Sequence, residues 1–267
     1  MLVLSGRWIL MFFGPLAMLG LIGAPVAAAE PEQSRIDLIL QQLEDRGDTV
    51  NDLKCKVEYT VEDILADDRF TKFGEIRYKR KEPNPVFYIY FEKLHQAGMV
   101  NRKKEWYIFD GQYLWEIKEA AKNKLRHEVV KPGEKIDLFD IEESPIPIPF
   151  GQRKDQIQRN FMVVLIAPAA GDPPQTDHLV CRPKPDTRLS KDFERLEFFV
   201  SRDLHLPVKI VSVERGGNQI NTAVFPDLTA DSINSKLGDS AFGLPREAGK
   251  WKTIEADSSA PLPAPGR

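Results

Sequence analysis

Cysteine and histidine are scarce in this chain of 267 residues, which holds two of the first and four of the second. Cys55, Cys181, His95, His127, His178 and His205 are scattered singly, with none of the ligand spacings of a zinc site. A glycine-rich phosphate loop, a dinucleotide fingerprint and a Gly-x-Ser-x-Gly nucleophile elbow are all missing. Basic excess is missing too: 37 Lys and Arg face 40 Asp and Glu, a net charge of −3. That argues against nucleic acid as a partner and against general adhesion to anionic membranes. Beyond residue 29 no apolar run approaches the length of a transmembrane helix.

What is present begins at the start of the chain. Met1–Arg7 is short and positively charged, Trp8–Ile22 is uncharged, and Ala24–Ala29 ends in small residues with Ala27 and Ala29 at signal-peptidase spacing. Residues 1–29 are therefore expected to be a cleaved secretory signal peptide. The competing reading is an uncleaved anchor, for which Gly14, Pro15, Gly20, Gly23 and Pro25 make a poor helix. The mature protein is expected in the periplasm or outside the cell. In such an oxidising compartment Cys55 and Cys181 can form a disulfide, but each also lies among alternating apolar residues and reads equally as a buried thiol.

The spacing of Ile36, Ile39, Leu40 and Leu43 predicts a helix over 34–46, with Ser34 and Asp37 resembling a capping box and Gly47 at its stop. After it the hydrophobic period becomes two. Leu53, Cys55, Val57, Tyr59 and Val61 alternate with polar residues, which predicts an antiparallel strand with one wet face. Strands follow at 70–80, 86–91, 105–109, 113–117 and 127–131, with the polar run 101–104 read as an interruption. Val86–Phe91 is apolar on both sides, so either face can point inward. Asp110-Gly111 is a strong hairpin signal. The alternating prolines of 145–150 forbid both helix and ladder. Gln152–Asn160 suits a short helix. Strands resume at 161–166, 178–182, 195–201, 207–214 and 220–225, and a Pro-rich tail closes the chain. The expectation is an α+β protein: a single strongly curved antiparallel sheet of about ten strands over residues 30–254, with residues 255–267 as an unfolded tail.

This order of motifs resembles the periplasmic outer-membrane lipoprotein carrier family, the LolA-like proteins. The resemblance rests on the helix before the first strand, on Gly74–Arg80 ahead of a proline, and on Phe109–Trp115 with its Asp-Gly hairpin. It continues through Pro147–Phe161, Phe198–Asp203 and the closing segment Asp239–Trp251. It implies a half-open barrel with helices over its concave mouth and a non-enzymatic role, the binding and shuttling of acyl chains between membranes without a cofactor. Val57, Tyr59, Ile76, Tyr78, Phe87, Ile89, Phe91, Trp115 and Ile117 would line the apolar cavity. Pro145, Ile146, Pro147, Ile148 and Phe150 would form a lid, and Arg80 would latch it. The implied partners are an acylated lipoprotein or lipid, an inner-membrane extracting transporter and an outer-membrane acceptor, served by a monomer. An RseB-like regulatory sensor of lipoproteins is the second reading and an envelope hydrolase the third. Neither catalytic residues nor metal ligands are expected.

Overall fold

The computed structural model describes residues 29–137 and 152–257. Helix α1 (Ala29–Thr49) precedes a meander of six strands: β1 (Asp52–Asp63), β2 (Asp68–Lys79), β3 (Val86–Gln96), β4 (Met99–Phe109), β5 (Tyr113–Lys118) and β6 (Asn123–Glu128). A short helix α2 (Lys154–Asn160) leads into β7 (Phe161–Ile166) and β8 (Thr176–Pro183). The one-turn helix α3 (Leu189–Asp192) is followed by β9 (Phe193–Ser201), β10 (Pro207–Glu214) and β11 (Gln219–Val224), and the last element is β12 (Lys252–Glu255). All twelve strands join one curved sheet in the order β12-β6-β5-β4-β3-β2-β1-β11-β10-β9-β8-β7. Every pairing is antiparallel except β12 with β6, which is parallel. The sheet does not close, so β7 and β12 are its two edges.

The turns follow from local chemistry. At the β1–β2 hairpin the Asp63 carboxylate accepts the backbone N–H groups of Leu65 and Ala66, at 3.0 and 2.9 Å. At the β4–β5 hairpin Asp110 accepts those of Gln112 and Tyr113, and Gly111 supplies a φ of +105° that a side chain would resist. Gly74 has a different task. It lies at a register shift between β2 and β3, where a Cβ would overlap the Tyr90 carbonyl oxygen, so the two strands approach and bend there because the side chain is absent.

Several boundaries differ from the sequence reading. Helix α1 starts at Ala29 rather than Ser34, since Pro31 falls in the first turn, where its missing N–H costs nothing. Ser34 is thus inside the helix, five residues past its start. Asp37 instead accepts hydrogen bonds from Gln33 and from Gln158 of α2. The helix also passes Gly47 and ends at Thr49. The polar run 101–104 does not interrupt β4: the hairpin closes at Ala97-Gly98, and the side chains of 101–103 stand in water while the ladder continues. The strand expected at 127–131 lies earlier, as β6 after a turn at 119–121, and β12 was not anticipated. That last strand carries the fold through Glu255, one residue into the segment read as a tail.

Two apolar layers cover the sheet on opposite faces. On the inner face α1 lays Ile36, Ile39, Leu40 and Leu43 on Leu179, Cys181, Leu196 and Phe198 of β8 and β9. Such side chains contribute roughly 1.5–3 kcal/mol each when fully buried. On the outer face the closing segment packs Phe242, Ala248 and Trp251 against Tyr88, Trp106, Ile108 and Ile117 of β3–β5. Lys79 fastens that segment, donating to the Leu237 carbonyl at 2.8 Å and pairing with Asp239 at 2.6 Å.

Candidate functional site

Strand register sorts the inner face into rows. One row crosses β1, β11, β10, β9, β8 and β7 as Tyr59, Ala223, Ile210, Phe198, Leu179 and Leu165. It is apolar from end to end. Its outer members lie in the α1 layer, but Tyr59, Ala223 and Ile210 are only half-buried. Ile210 touches both the α1 layer and the large core of β1–β5, so it marks the seam between them. Ile89, Val208, Leu204 and Val129 border the same core and also keep part of their surface exposed. These partly exposed apolar residues border the helix-covered flank and the sealed core, and together they are the candidate trough.

On the other side of β1 the rows change character as they cross the sheet. The first runs Leu53, Tyr78, Phe87, Phe109, Leu114, His127, and the second Cys55, Ile76, Ile89, Tyr107, Glu116, Leu125. The third runs Val57, Gly74, Phe91, Glu105, Lys118, Asn123. Stacked rings, Phe87 on Phe109 at 5.7 Å, fill the apolar part. Charge gathers towards β5 and is paired there. The Lys72 ammonium meets Glu105 at 2.6 Å with both side chains buried, Lys103 reaches the same carboxylate at 3.1 Å, and Lys118 meets Glu116 at 2.6 Å.

Burial shifts these groups. It pushes the Glu105 carboxyl up, but the hydrogen bonds and charges of Lys72 and Lys103 outweigh it and hold the group below the ordinary carboxylate range. Burial pulls the Lys72 ammonium down, and Glu105 restores only part of the loss. Burial raises Tyr107, and the charges of Glu105 and Glu116 raise it further, so it stays a phenol. Burial lowers His127 against the opposing pull of Glu116. The Tyr107 hydroxyl and His127 Nε2 are buried without a hydrogen-bond partner among the described residues. Also among the described residues, no group of three His, Cys, Asp or Glu is placed to hold a metal ion.

Seven of the nine residues assigned to the cavity stand together on the inner face: Val57, Tyr59, Ile76, Tyr78, Phe87, Ile89 and Phe91. Most are sealed in the core, and Tyr59 and Ile89 are the two that reach the trough. Trp115 and Ile117 do not join them. They point to the outer face, where Ile117 is fully buried and Trp115 borders the layer under the closing segment. The reason is parity, because Leu114 and Glu116 take the inner positions of β5. The trough residues of β10 and β11 were not among the sequence candidates. Their alternation was legible, but that β11 would pair with β1 was not.

Among the described residues Arg80 bonds to the end of α1. Its guanidinium donates to the carbonyls of Gly47 at 2.8 Å and Val50 at 3.2 Å, and its backbone N–H to Asn51, so it ties the end of α1 to β2. Pro145, Ile146, Pro147, Ile148 and Phe150 lie outside the described residues, as do residues 1–28 of the expected signal peptide. The disulfide reading is corrected: Cys55 and Cys181 are both free and buried. They sit on β1 and β8, four strand spacings apart, about 19 Å along the sheet. A bridge needs Cα atoms within about 7 Å.

No protein-family model and no curated protein matches this chain. Among solved structures it is similar to an uncharacterized conserved protein from Thermus thermophilus, at 10% identity over 83% of this chain and 99% of that one, with a TM-score of 0.47. It is similar to an outer-membrane lipoprotein-sorting protein domain from Vibrio parahaemolyticus, at 10% identity over 77% of this chain and 95% of that one, TM-score 0.34. It is also similar to the Mycobacterium tuberculosis lipoprotein LppX, at 8% identity over 73% of this chain and 97% of that one, TM-score 0.38. Likenesses this remote carry no argument about what the present chain binds.

Proposed function

We propose that this protein is an extracytoplasmic, non-catalytic carrier that shelters acyl chains of a lipid or lipoprotein in the inner-face trough. The single observation that supports it most is the row Tyr59–Ala223–Ile210, apolar and only partly buried, beside the helix-covered flank of the inner face. Each buried methylene is worth about 0.8 kcal/mol, so hydrocarbon laid along the row gains affinity without a covalent step. Exchange is then reversible, and its direction follows differences in affinity between donor and acceptor. An inner-membrane extracting transporter and an outer-membrane acceptor are the partners this role calls for.

The test is to purify the mature protein from its own envelope and identify by mass spectrometry what accompanies it. Acylated peptide or phospholipid at near-stoichiometric level is the expected result. A protein that emerges empty and fails to bind a fluorescent fatty acid would overturn the proposal.

A further inference from the structure

We propose that the inner face carries a polar anchor for the neutral oxygen of an acyl ester, formed by the Tyr107 hydroxyl and the His127 imidazole. The proposal deepens the carrier reading and rests on it. Tyr107 stands directly across from Ile89, a trough residue, so hydrocarbon lying along Ile89 brings its polar end to the phenol. His127 closes the neighbouring row on the same face, with Glu116 on the strand between the two. Their relative exposures are 1% and 5%. A hydroxyl and a ring nitrogen buried on one face, two strands apart and without partners among the described residues, are costly to leave so, and entering oxygens of an ester head satisfy them.

The surrounding charge selects which oxygen. Lys72 and Lys103 are engaged with Glu105, and Lys118 with Glu116. An entering carboxylate would face Glu105 and Glu116 while the lysines beside them stay committed. A carbonyl or hydroxyl oxygen meets no such repulsion. The neutral phenol donates to a carbonyl, and the imidazole Nε2 accepts from a glycerol hydroxyl or donates as the other tautomer.

The experiment measures displacement of phenylnaphthylamine from the full chain by monolauroylglycerol, by laurate and by dodecane. The native protein should bind monolauroylglycerol tightest and laurate weakest. Tyr107→Phe, which keeps the ring, should weaken monolauroylglycerol about tenfold and leave dodecane unchanged. His127→Leu should behave alike, and His127→Gln, which restores a polar group near the Nε2 position, should recover most of the loss. A diacylglyceryl-cysteine lipopeptide run in parallel separates the two sources of such an ester: the ligand with the larger loss is the one the anchor serves. Equal affinity of native and Tyr107→Phe proteins for both ester ligands would overturn the anchor while dodecane binding upholds the carrier reading. Failure of the native protein to bind any of them would overturn both.

Discussion

The two faces of β3–β5 are almost equally greasy, and they are finished in opposite ways. The outer face presents Val86, Tyr88, Trp106, Ile108 and Ile117, and the chain itself covers them with Phe242, Ala248 and Trp251. Its polar fringe is satisfied: Lys79 and Lys81 hold Asp239, and Lys104 holds Glu247. The inner face presents Phe87, Phe91, Tyr107, Phe109 and Leu114, and it grades into partly exposed apolar residues and into the Tyr107 hydroxyl and His127 Nε2, which have no hydrogen-bond partner among the described residues. Hydrophobicity alone does not separate a core from a binding face. What separates them is whether the protein completes the contacts and hydrogen bonds of that face itself.

The comparison can be broken most sharply at Phe242. Phe242→Ala should cost about 4 kcal/mol, read as a fall in denaturant midpoint, because it leaves a cavity in the outer layer. Acyl binding by the surviving folded fraction should be unchanged, and a loss of binding would show that the two faces are not separate.

Glu105→Gln comes next, at about 3 kcal/mol, since it leaves the Lys72 ammonium buried without its counter-charge. The same pair has a pH signature. The carboxyl of Glu105 is held below its ordinary value, so its stabilisation is complete above the usual carboxylate range and is lost as pH falls through the lowered folded-state value. Thermal melts of the native protein should therefore decline more steeply with acid than those of Glu105→Gln. Parallel curves would count against the pair.

Ile210→Glu should be milder for the fold and harsher for binding. The position is half-buried, so the stability loss should be about 1 kcal/mol. Hydrocarbon affinity should fall about tenfold or more, because the charge must be desolvated beneath the ligand. Unchanged probe binding would remove the trough from the argument. The smallest effect belongs to Asp239→Asn at the exposed fringe of the outer layer. It should produce only a slight drop in melting temperature, one that disappears in concentrated salt.

Much of the architecture was legible. Period-two alternation located β1, β2 and β7–β11, and Asp110-Gly111 marked a hairpin through side-chain and backbone preferences that act within a few residues. Ala97-Gly98 went unread because a polar stretch beside it resembled a loop. In fact it is a ladder whose side chains project into water. Cys55 and Cys181 could not be separated or joined from the sequence, because their distance is set by how many strands intervene. The proposed site was half legible. Alternation put Tyr59 and Ile89 on the inner face, whereas Ile210 and Ala223 join them there only because β11 pairs with β1.

Local periodicity determined that Val86–Phe91, Glu105–Phe109 and Tyr113–Ile117 are strands, since extended backbone sends successive side chains to opposite sides. It could not say which side faces the trough, because an apolar residue on either side satisfies the same pattern. That choice was made by contacts far apart in the chain. The segment around Phe242 covers one face and α1 roofs part of the other, and Trp115 and Ile117 pack in the layer under the closing segment for that reason.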